Sequence, residues 1–389
     1  MSRRLRQRRQ LQLSIPEEED RISALPDSLV HHILSFLPSK DATATTVLSK
    51  RWKPLWLLEL IIHFNHQPFP DTFTFSNFVD SAMANQDNTQ PILSFHIKCH
   101  YYNSDIHKFV SNAIQRRVQN LTFDLSRSDF PTAFILRTET LCVLKLKRIT
   151  LNYEGPLVDL PSLKILHLES VCFTYYGHIR KLLSGCPILQ ELEANDLTIK
   201  IPCRVFLGSS QPPSLSNLVR ANISNICPMH NLLDRLRNAQ HMRLLAKYSY
   251  ELHSVFHNLT HLELRLDFMH NRGMLKWSWL IKLLQNFPLL QTLIIEEVDT
   301  VHNFGAGGWT DPEIVPECLL SHLTTCSLRS YSRINCELQF AKYIMQNSRV
   351  LSIMKIQSAK FLDTNTKIQM SLELSSFPMN STTCPLLFI

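Results

Sequence analysis

The sequence lacks the short motifs that usually mark an enzyme of this size. It contains no GxxxxGK[ST] phosphate loop, no GxSxG nucleophile elbow and no HExxH metal-binding helix. Its one glycine cluster, residues 305–308, misses the last glycine of the dinucleotide fingerprint because Thr310 stands there. Its 17 histidines have no ligand partners at a fixed spacing. The sequence therefore predicts a protein that is not an enzyme and that has no catalytic, metal or cofactor site.

Paired cysteines and long apolar runs are missing as well. The ten cysteines include no CxxC pair, and several lie in apolar or strand-like contexts, which favours reduced thiols in the core over a structural zinc site. Neither a secretory leader nor an uninterrupted apolar run of about 18 residues occurs. We therefore expect no export and no membrane insertion, and a cytoplasmic or nuclear location.

The body of the chain also lacks an excess of charge of either sign. The net charge is +7, but five arginines within the first nine residues supply most of it, and +7 less five leaves +2 for the remainder. Residues 1–19 are predicted to be a disordered tail, first basic and then acidic. The tail could serve as a nuclear-import address or as a weak phosphate-binding arm. No aromatic residues interleave with the arginines, which argues against nucleic-acid binding as the main function.

What the sequence does contain is a repeat. With 44% hydrophobic residues, the 389-residue chain is long enough for two or more domains. The pattern LxxLxL returns from about residue 91 onward at intervals of 20 to 33 residues, which is within or near the period of leucine-rich repeats. Its central apolar positions are Phe95, Leu121, Leu144, Leu166, Leu192, Leu218, Met242, Leu262, Leu293, Cys326 and Met354.

Helical spacing between these positions indicates return segments. It is visible around residues 107–118, 178–189 and 279–290, and the last two segments end in a proline that breaks the helix before the next strand. Short strands whose inner residues are covered by such returns form a solenoid. The sequence thus predicts an α/β repeat fold, a curved parallel sheet with helical or irregular returns, whose concave surface is suited to binding another protein.

Residues 20–58 predict a separate module of three short helices. Pro26 suits the first position of a helix that ends near Leu37, and a second helix is expected from Ala42 to Leu48. A third helix is expected to open at Ser49 and to stop near Pro54. The apolar stripe of the first helix is wider than one neighbouring helix would cover, and about 40 residues bury too little apolar surface to be stable alone. The module is therefore predicted to dock onto another surface.

The patterns LPDSLVHHILSFLP and KDATATTVLSKRWKPLW in this module resemble the F-box, the motif by which substrate receptors attach to the Skp-type adaptor of cullin-RING ubiquitin ligases. The sequence departs from many F-boxes at Thr43, Ala44 and Thr46, where larger apolar residues are common. The resemblance implies that the adaptor-binding residues are Leu25, Pro26, Leu29, Ile33, Leu37, Val47, Leu48 and Trp52.

The C-terminal region, residues 301–389, resembles the FBD region of plant F-box proteins with leucine-rich repeats. The motifs VPECL, ELQFAKYIMQNSRVL and SSFP carry this match. Phe340, Ile344 and Met345 fall on one helical face, and residues 351–356 are expected to form a strand, so that this region adds last repeats and a cap. The full division is then a tail (1–19), an F-box (20–58), a linker leading into the repeats (59–90), leucine-rich repeats (91–300) and the FBD-like region.

Polar residues that alternate with the buried leucines are candidates for target binding, although a solvated face is equally compatible with the pattern. They are Lys145, Lys147, His167, Glu169, Glu263 and Arg265. Trp277 and Trp279, where a return helix begins, are expected to pack in the core.

The leading hypothesis is a non-catalytic substrate-recognition subunit of an SCF-type ubiquitin ligase, with the Skp-type adaptor, and through it cullin, and an unknown target protein as partners. The alternative is a non-degradative leucine-rich-repeat scaffold.

Overall fold

A computed structural model of the chain describes residues 21–57, 60–86, 89–100, 104–130, 132–152, 158–201, 214–225, 230–247, 252, 254–267, 276–298, 309, 312–381 and 384–389. The expected tail at residues 1–19 and the glycine cluster at residues 305–308 lie outside the described residues.

The described residues form helices at both ends of the chain and between many of the strands. The α-helices are α1 (Asp27–Ser35), α2 (Ser39–Ala44), α3 (Trp52–Leu57), α4 (Thr72–Asn85), α5 (Ser104–Gln115), α6 (Tyr176–Ser184), α7 (His230–Leu233), α8 (Lys276–Leu284), α9 (Glu317–Ser321), α10 (Asn335–Asn347) and α11 (Thr364–Ser375). Short 3-10 helices cover Thr45–Val47, Thr132–Arg137 and Asp234–Leu236.

The strands are short and form one parallel sheet. They are β1 (Ile61–Asn65), β2 (Ser94–Cys99), β3 (Asn120–Phe130), β4 (Val143–Leu151), β5 (Ile165–Glu169), β6 (Cys172–Tyr175), β7 (Glu191–Asn195), β8 (Thr198–Ile201), β9 (Arg220–Ser224), β10 (His241–Ala246), β11 (His261–Leu266), β12 (Thr292–Glu297), β13 (Thr325–Tyr331), β14 (Ile353–Ser358) and β15 (Leu386–Phe388). Their spatial order follows the chain, except that β6 and β8 form a side ladder on β4. The predicted α/β repeat solenoid is confirmed.

The register of the sheet follows the repeat. The central apolar positions named above pair directly across neighbouring strands, from Phe95 on β2 to Met354 on β14, and most are fully buried. One prediction was wrong: Leu218 lies before its strand, and Ala221 on β9 occupies the paired position. Alanine gives a weak hydrophobic signal there, whereas Leu218 is buried in the preceding turn.

The return helices cover one face of the sheet and leave the other open. Phe340 and Ile344 on α10 are fully buried, as the helical spacing predicted. Trp277 on α8 is also buried, and its ring lies 4.7 Å from that of Phe340, so the C-terminal region packs directly against the preceding repeat. We call the uncovered side of the sheet, made by the alternate strand residues, the open face.

The N-terminal module differs in detail from its prediction. Pro26 caps α1 instead of occupying its first position, and α2 begins at Ser39, before the expected Ala42. The third helix begins at Trp52 and continues through Pro54, where it was expected to stop. Proline is tolerated at this point because the first-turn N–H groups of a helix have no intrahelical partner.

The two edge strands of the sheet, β1 and β15, differ in how their edges are protected. At the first strand, the Oγ of buried Ser39 accepts a hydrogen bond of 3.0 Å from the backbone N–H of His63, so α2 covers the edge of β1. Lys40 strengthens the contact by donating to the carbonyl of Pro68 at 2.8 Å. At the other end, β15 has three residues and, among the residues that the structure describes, pairs with β14 alone.

Candidate protein-interaction surfaces

A cluster of apolar side chains on the N-terminal module is exposed to solvent. Leu29 and Ile33 on α1 and Phe36 at its C-cap have exposed fractions of 47%, 40% and 73%. Val47 and Leu48 are 85% and 61% exposed. We call these five residues the outer apolar surface. Large apolar groups that stay in water at neighbouring positions mark a protein-interaction site.

The opposite side of the module is closed against the chain's own core. Val30 and Leu34 on α1 are 1% exposed, and Trp52 and Trp56 on α3 are almost fully buried. The wide stripe of α1 is thus divided between an internal and an external surface, as its width predicted.

Of the predicted adaptor residues, Leu29, Ile33, Val47 and Leu48 are therefore exposed, and Pro26 is exposed beside them. Leu25 and Leu37 are partly buried against the core. Trp52 lies inside the core, where it supports the module without contributing to its surface. Phe36, which was not among the predicted residues, belongs to the outer apolar surface and follows Ile33 at helical spacing.

Arg51 fixes the relative position of α1 and the segment that leads into α3. Its guanidinium donates to Asp27, at 2.8 Å from Nε, and to the backbone carbonyls of Ser23 at 2.9 Å and Leu25 at 2.6 Å. The fork of donors suits several acceptors at once. The outer apolar surface is consequently presented on a preformed frame.

The six predicted target-binding residues all lie on the open face, but in two groups. Lys147 pairs with Glu169 at 2.7 Å, and these residues lie with Lys145 and His167 on β4 and β5. Glu263 and Arg265 lie on β11, separated from that group by three strands. The second group is also paired, since Arg265 contacts Glu296 at 3.2 Å and Glu263 contacts Arg243 at 3.3 Å.

A shallow groove of about 330 Å³ occupies the open face between the two groups. Within it Arg220 lies 3.8 Å from Glu191, and His167 on the neighbouring β5 lies 2.9 Å from Glu191 and 3.5 Å from Glu193. Of the residues that line this groove, the sequence prediction named Glu263 alone as a candidate for target binding. The other polar residues of the groove alternate with buried ones as the predicted residues do. The groove is lined among others by Glu191, Glu193, Arg220, His241, Arg243, His261, Glu263 and Ile294.

Histidines at the first strands have perturbed protonation. The rings of His63 and His96 stack with centroids 4.0 Å apart. Burial, followed by the charges of His63, Lys147, Lys98 and Lys145, lowers the pKa of His96 to about 3. Burial and Lys98 also lower the pKa of His63. Burial is the larger cause of both shifts, and the neighbouring lysines add to it.

In the described part of the chain, no group of three or more metal-ligating side chains comes together, and no helix is long and apolar enough to span a membrane. The cysteines within it are free thiols, and burial raises the pKa of Cys186, Cys318 and Cys326 to about 12. Such thiols are poor nucleophiles and serve as apolar core residues.

Comparisons with known families match three separate parts of the chain. Family models match an F-box domain at residues 22–61, a leucine-rich repeat at residues 162–187 and the FBD at residues 311–356. An F-box/FBD/LRR-repeat protein of Arabidopsis thaliana is 31% identical over 88% of this chain and 87% of its own length. A second protein with that description is 28% identical, and an FBD-associated F-box protein is 29% identical, each over 95% of this chain and 100% of its own length.

Proposed function

Because this chain belongs to the family of F-box proteins with leucine-rich repeats and an FBD region, we propose that it is the substrate-recognition subunit of an SCF-type cullin-RING ubiquitin ligase. The F-box would dock a Skp-type adaptor, and the open face of the repeats would hold a target protein. The observation that supports this most directly is the outer apolar surface, which remains in water while the other side of the same helix is buried.

No acid, base or nucleophile is needed for this role. A receptor that holds its target beside a charged ubiquitin-conjugating enzyme raises the effective concentration of the target's lysines. A solenoid suits the task because each repeat contacts mainly its neighbours and the sheet offers an extended surface. We extend the proposal to the domain division given above, with residues 20–58 as the docking module.

The adaptor test compares two pairs of exposed apolar residues. Leu29→Asp with Ile33→Asp places two carboxylates in the outer apolar surface and is expected to weaken adaptor binding by about a hundredfold, because buried apolar anchors dominate such interfaces. The matched control is Ile368→Asp with Leu372→Asp on α11, which have the same helical spacing and exposed fractions of 53% and 67%. The control should bind the adaptor as the unaltered protein does.

Binding is measured with purified protein and adaptor by titration calorimetry, and folding by circular dichroism. Absence of adaptor binding by the unaltered chain, or equal binding by both double variants, would contradict the proposal. Circular dichroism separates a lost interface from a lost fold, since all four side chains are exposed.

One observation favours a second candidate, the non-degradative scaffold. Thr43 and Thr46 stand where many F-boxes carry larger apolar residues, and their hydroxyls donate to the backbone carbonyls of Ser39 and Thr43, each at 2.7 Å. They add little apolar contact area. A chain that binds the adaptor without recovering cullin in the same complex would support this scaffold role.

A further inference from the structure

Basic and hydroxyl side chains collect on the open face of the first strands. His96 on β2, Thr122 on β3 and Lys145 on β4 occupy one row of directly paired positions. Strands of a sheet lie about 4.8 Å apart, so this row spans roughly 10 Å. Lys98, two residues after His96, projects from the same face of β2. We call His96, Lys98, Thr122 and Lys145 the basic cluster.

The positive charge of this cluster is not balanced by its surroundings. The nearby carboxylate of Asp124 accepts from Arg148 at 2.9 Å from Nε and 2.5 Å from a terminal nitrogen. The Nζ of Lys98 contacts only a neutral partner within the described residues, the amide oxygen of Gln67 at 3.3 Å. Among those same residues, Lys145 makes no ion pair. Two lysines thus remain available to an anion.

The pKa of His96 is sensitive to the charges of the cluster. Its half-buried ring is neutral at physiological pH because burial and the surrounding cations hold its pKa at about 3. A neutral imidazole still has one N–H to donate. An anion placed beside it would oppose the lysine charges and raise this pKa.

The positive region ends at the next strands. Glu169 on β5 and Glu191 and Glu193 on β7 line the open face directly beyond β4. A long polyanion such as a nucleic acid would extend from the lysines onto these carboxylates. A compact anion with high charge would remain within the basic cluster.

We propose that the basic cluster binds a phosphate monoester, a phosphoserine or phosphothreonine carried by the target protein. A phosphate carries nearly two negative charges and three acceptor oxygens, which suit two lysines, one hydroxyl and one imidazole N–H. This inference rests on the proposed function, since it assigns the open face of β2–β4 to target recognition.

The probe is a fluorescent pool of peptides that have a fixed phosphoserine at the centre and random residues around it. Its affinity is compared with that of the same pool with serine at the centre. The full-length chain is expected to bind the phosphorylated pool about tenfold more tightly, as two charge-assisted contacts allow. Lys98→Gln with Lys145→Gln should remove this preference. Lys355→Gln is the matched control, because Lys355 on β14 is half-buried in the same row at the far end of the sheet.

Three outcomes would overturn the inference. They are equal binding of the two pools, a phosphoserine preference that survives the double lysine change, and tighter binding of a single-stranded RNA decamer that depends on the same lysines. Nuclear magnetic resonance gives an independent readout, since the phosphorylated pool should raise the pKa of the His96 imidazole and the serine pool should not.

The same variants separate this inference from the proposed function. Lys98 and Lys145 lie on strands of the repeats and are not part of the outer apolar surface, so Lys98→Gln with Lys145→Gln should bind the adaptor unchanged. Loss of phosphoserine preference with intact adaptor binding supports both proposals. Failure of the unaltered chain to bind the adaptor would contradict the ligase role, and the peptide measurement would still test the basic cluster.

Discussion

His96 is neutral at physiological pH because burial of its ring, together with the charges around it, lowers its pKa to about 3. The sequence predicted that alternate residues of β4 face away from the core, and Lys145 and Lys147 were therefore predicted to bind the target. His96 and Lys98 were not among the predicted residues, although the predicted register of Phe95, Leu121 and Leu144 places His96 in line with Lys145. The pairing of β2 with β3 and of β3 with β4 has this register. The burial of His96 and its stacking on His63 were not predictable from that register.

The neutral state of His96 makes stability depend on acidity. An unfolded histidine binds a proton near its ordinary pKa of 6.5, whereas folded His96 resists protonation until its own pKa of about 3 is reached. As pH falls below 6.5, the unfolded state therefore binds more protons and stability declines. We expect the loss between about pH 7 and about pH 5 to be about 1 kcal/mol for this half-buried ring. The measurement that checks this is the free energy of unfolding in urea at about pH 7 and at about pH 5.

The matched variants for that experiment are His96→Gln and His257→Gln. The first removes the resistant imidazole and should flatten the pH dependence. The second removes an exposed histidine outside the sheet and should leave the dependence in place. An unchanged slope in His96→Gln would show that another group carries the effect.

At the scale of elements, periodicity predicted the strands where large apolar residues recur and failed where they do not. The shift from Leu218 to Ala221 is one example, since a small core residue leaves the pattern weak. β1 and α4 lie in residues 59–90, the stretch expected to lead into the repeats, where no bounds of helices or strands were predicted. The division of α1 into a buried and an exposed side was predictable from the width of its apolar stripe.

Gly177 in helix α6 and Gly185 at its C-terminal cap differ in the space that a side chain would have. A Cβ on Gly185 would meet the carbonyl oxygen of Val158 at 2.4 Å and its Cγ1 at 2.6 Å, whereas one on Gly177 would meet nothing within 4 Å. Gly185→Ala should therefore destabilise the protein by about 1–3 kcal/mol through overpacking. Gly177→Ala should be neutral or stabilise by about 0.5 kcal/mol, because alanine favours the helical state.

Chemical denaturation of the two single variants tests this comparison. The two variants carry the same substitution, and the difference between them combines the close contact at Gly185 with the helical preference of alanine at Gly177. Equal free energies of unfolding would contradict the close approach of the α6 terminus to Val158.

At the scale of the whole molecule, the N-terminal module and the solenoid support each other. Ser39 joins α2 to β1, and Lys40 on α2 donates to the carbonyl of Pro68 beyond that strand. A peptide of residues 20–58 should accordingly lack stable structure, because so short a segment buries too little apolar surface alone. Circular dichroism and amide exchange should show coil in the peptide and protected helices in the full chain. A cooperative thermal transition in the peptide would contradict this expectation.

The contact between Ser39 and His63 has a consequence for solubility. A terminal strand offers its unpaired backbone groups to any strand that approaches, and β15 limits that risk by being only three residues long. β1 has five residues and depends on α2 for cover. If proteolysis or mutation removed the helices, the exposed strand would become a site for chain-to-chain polymerisation.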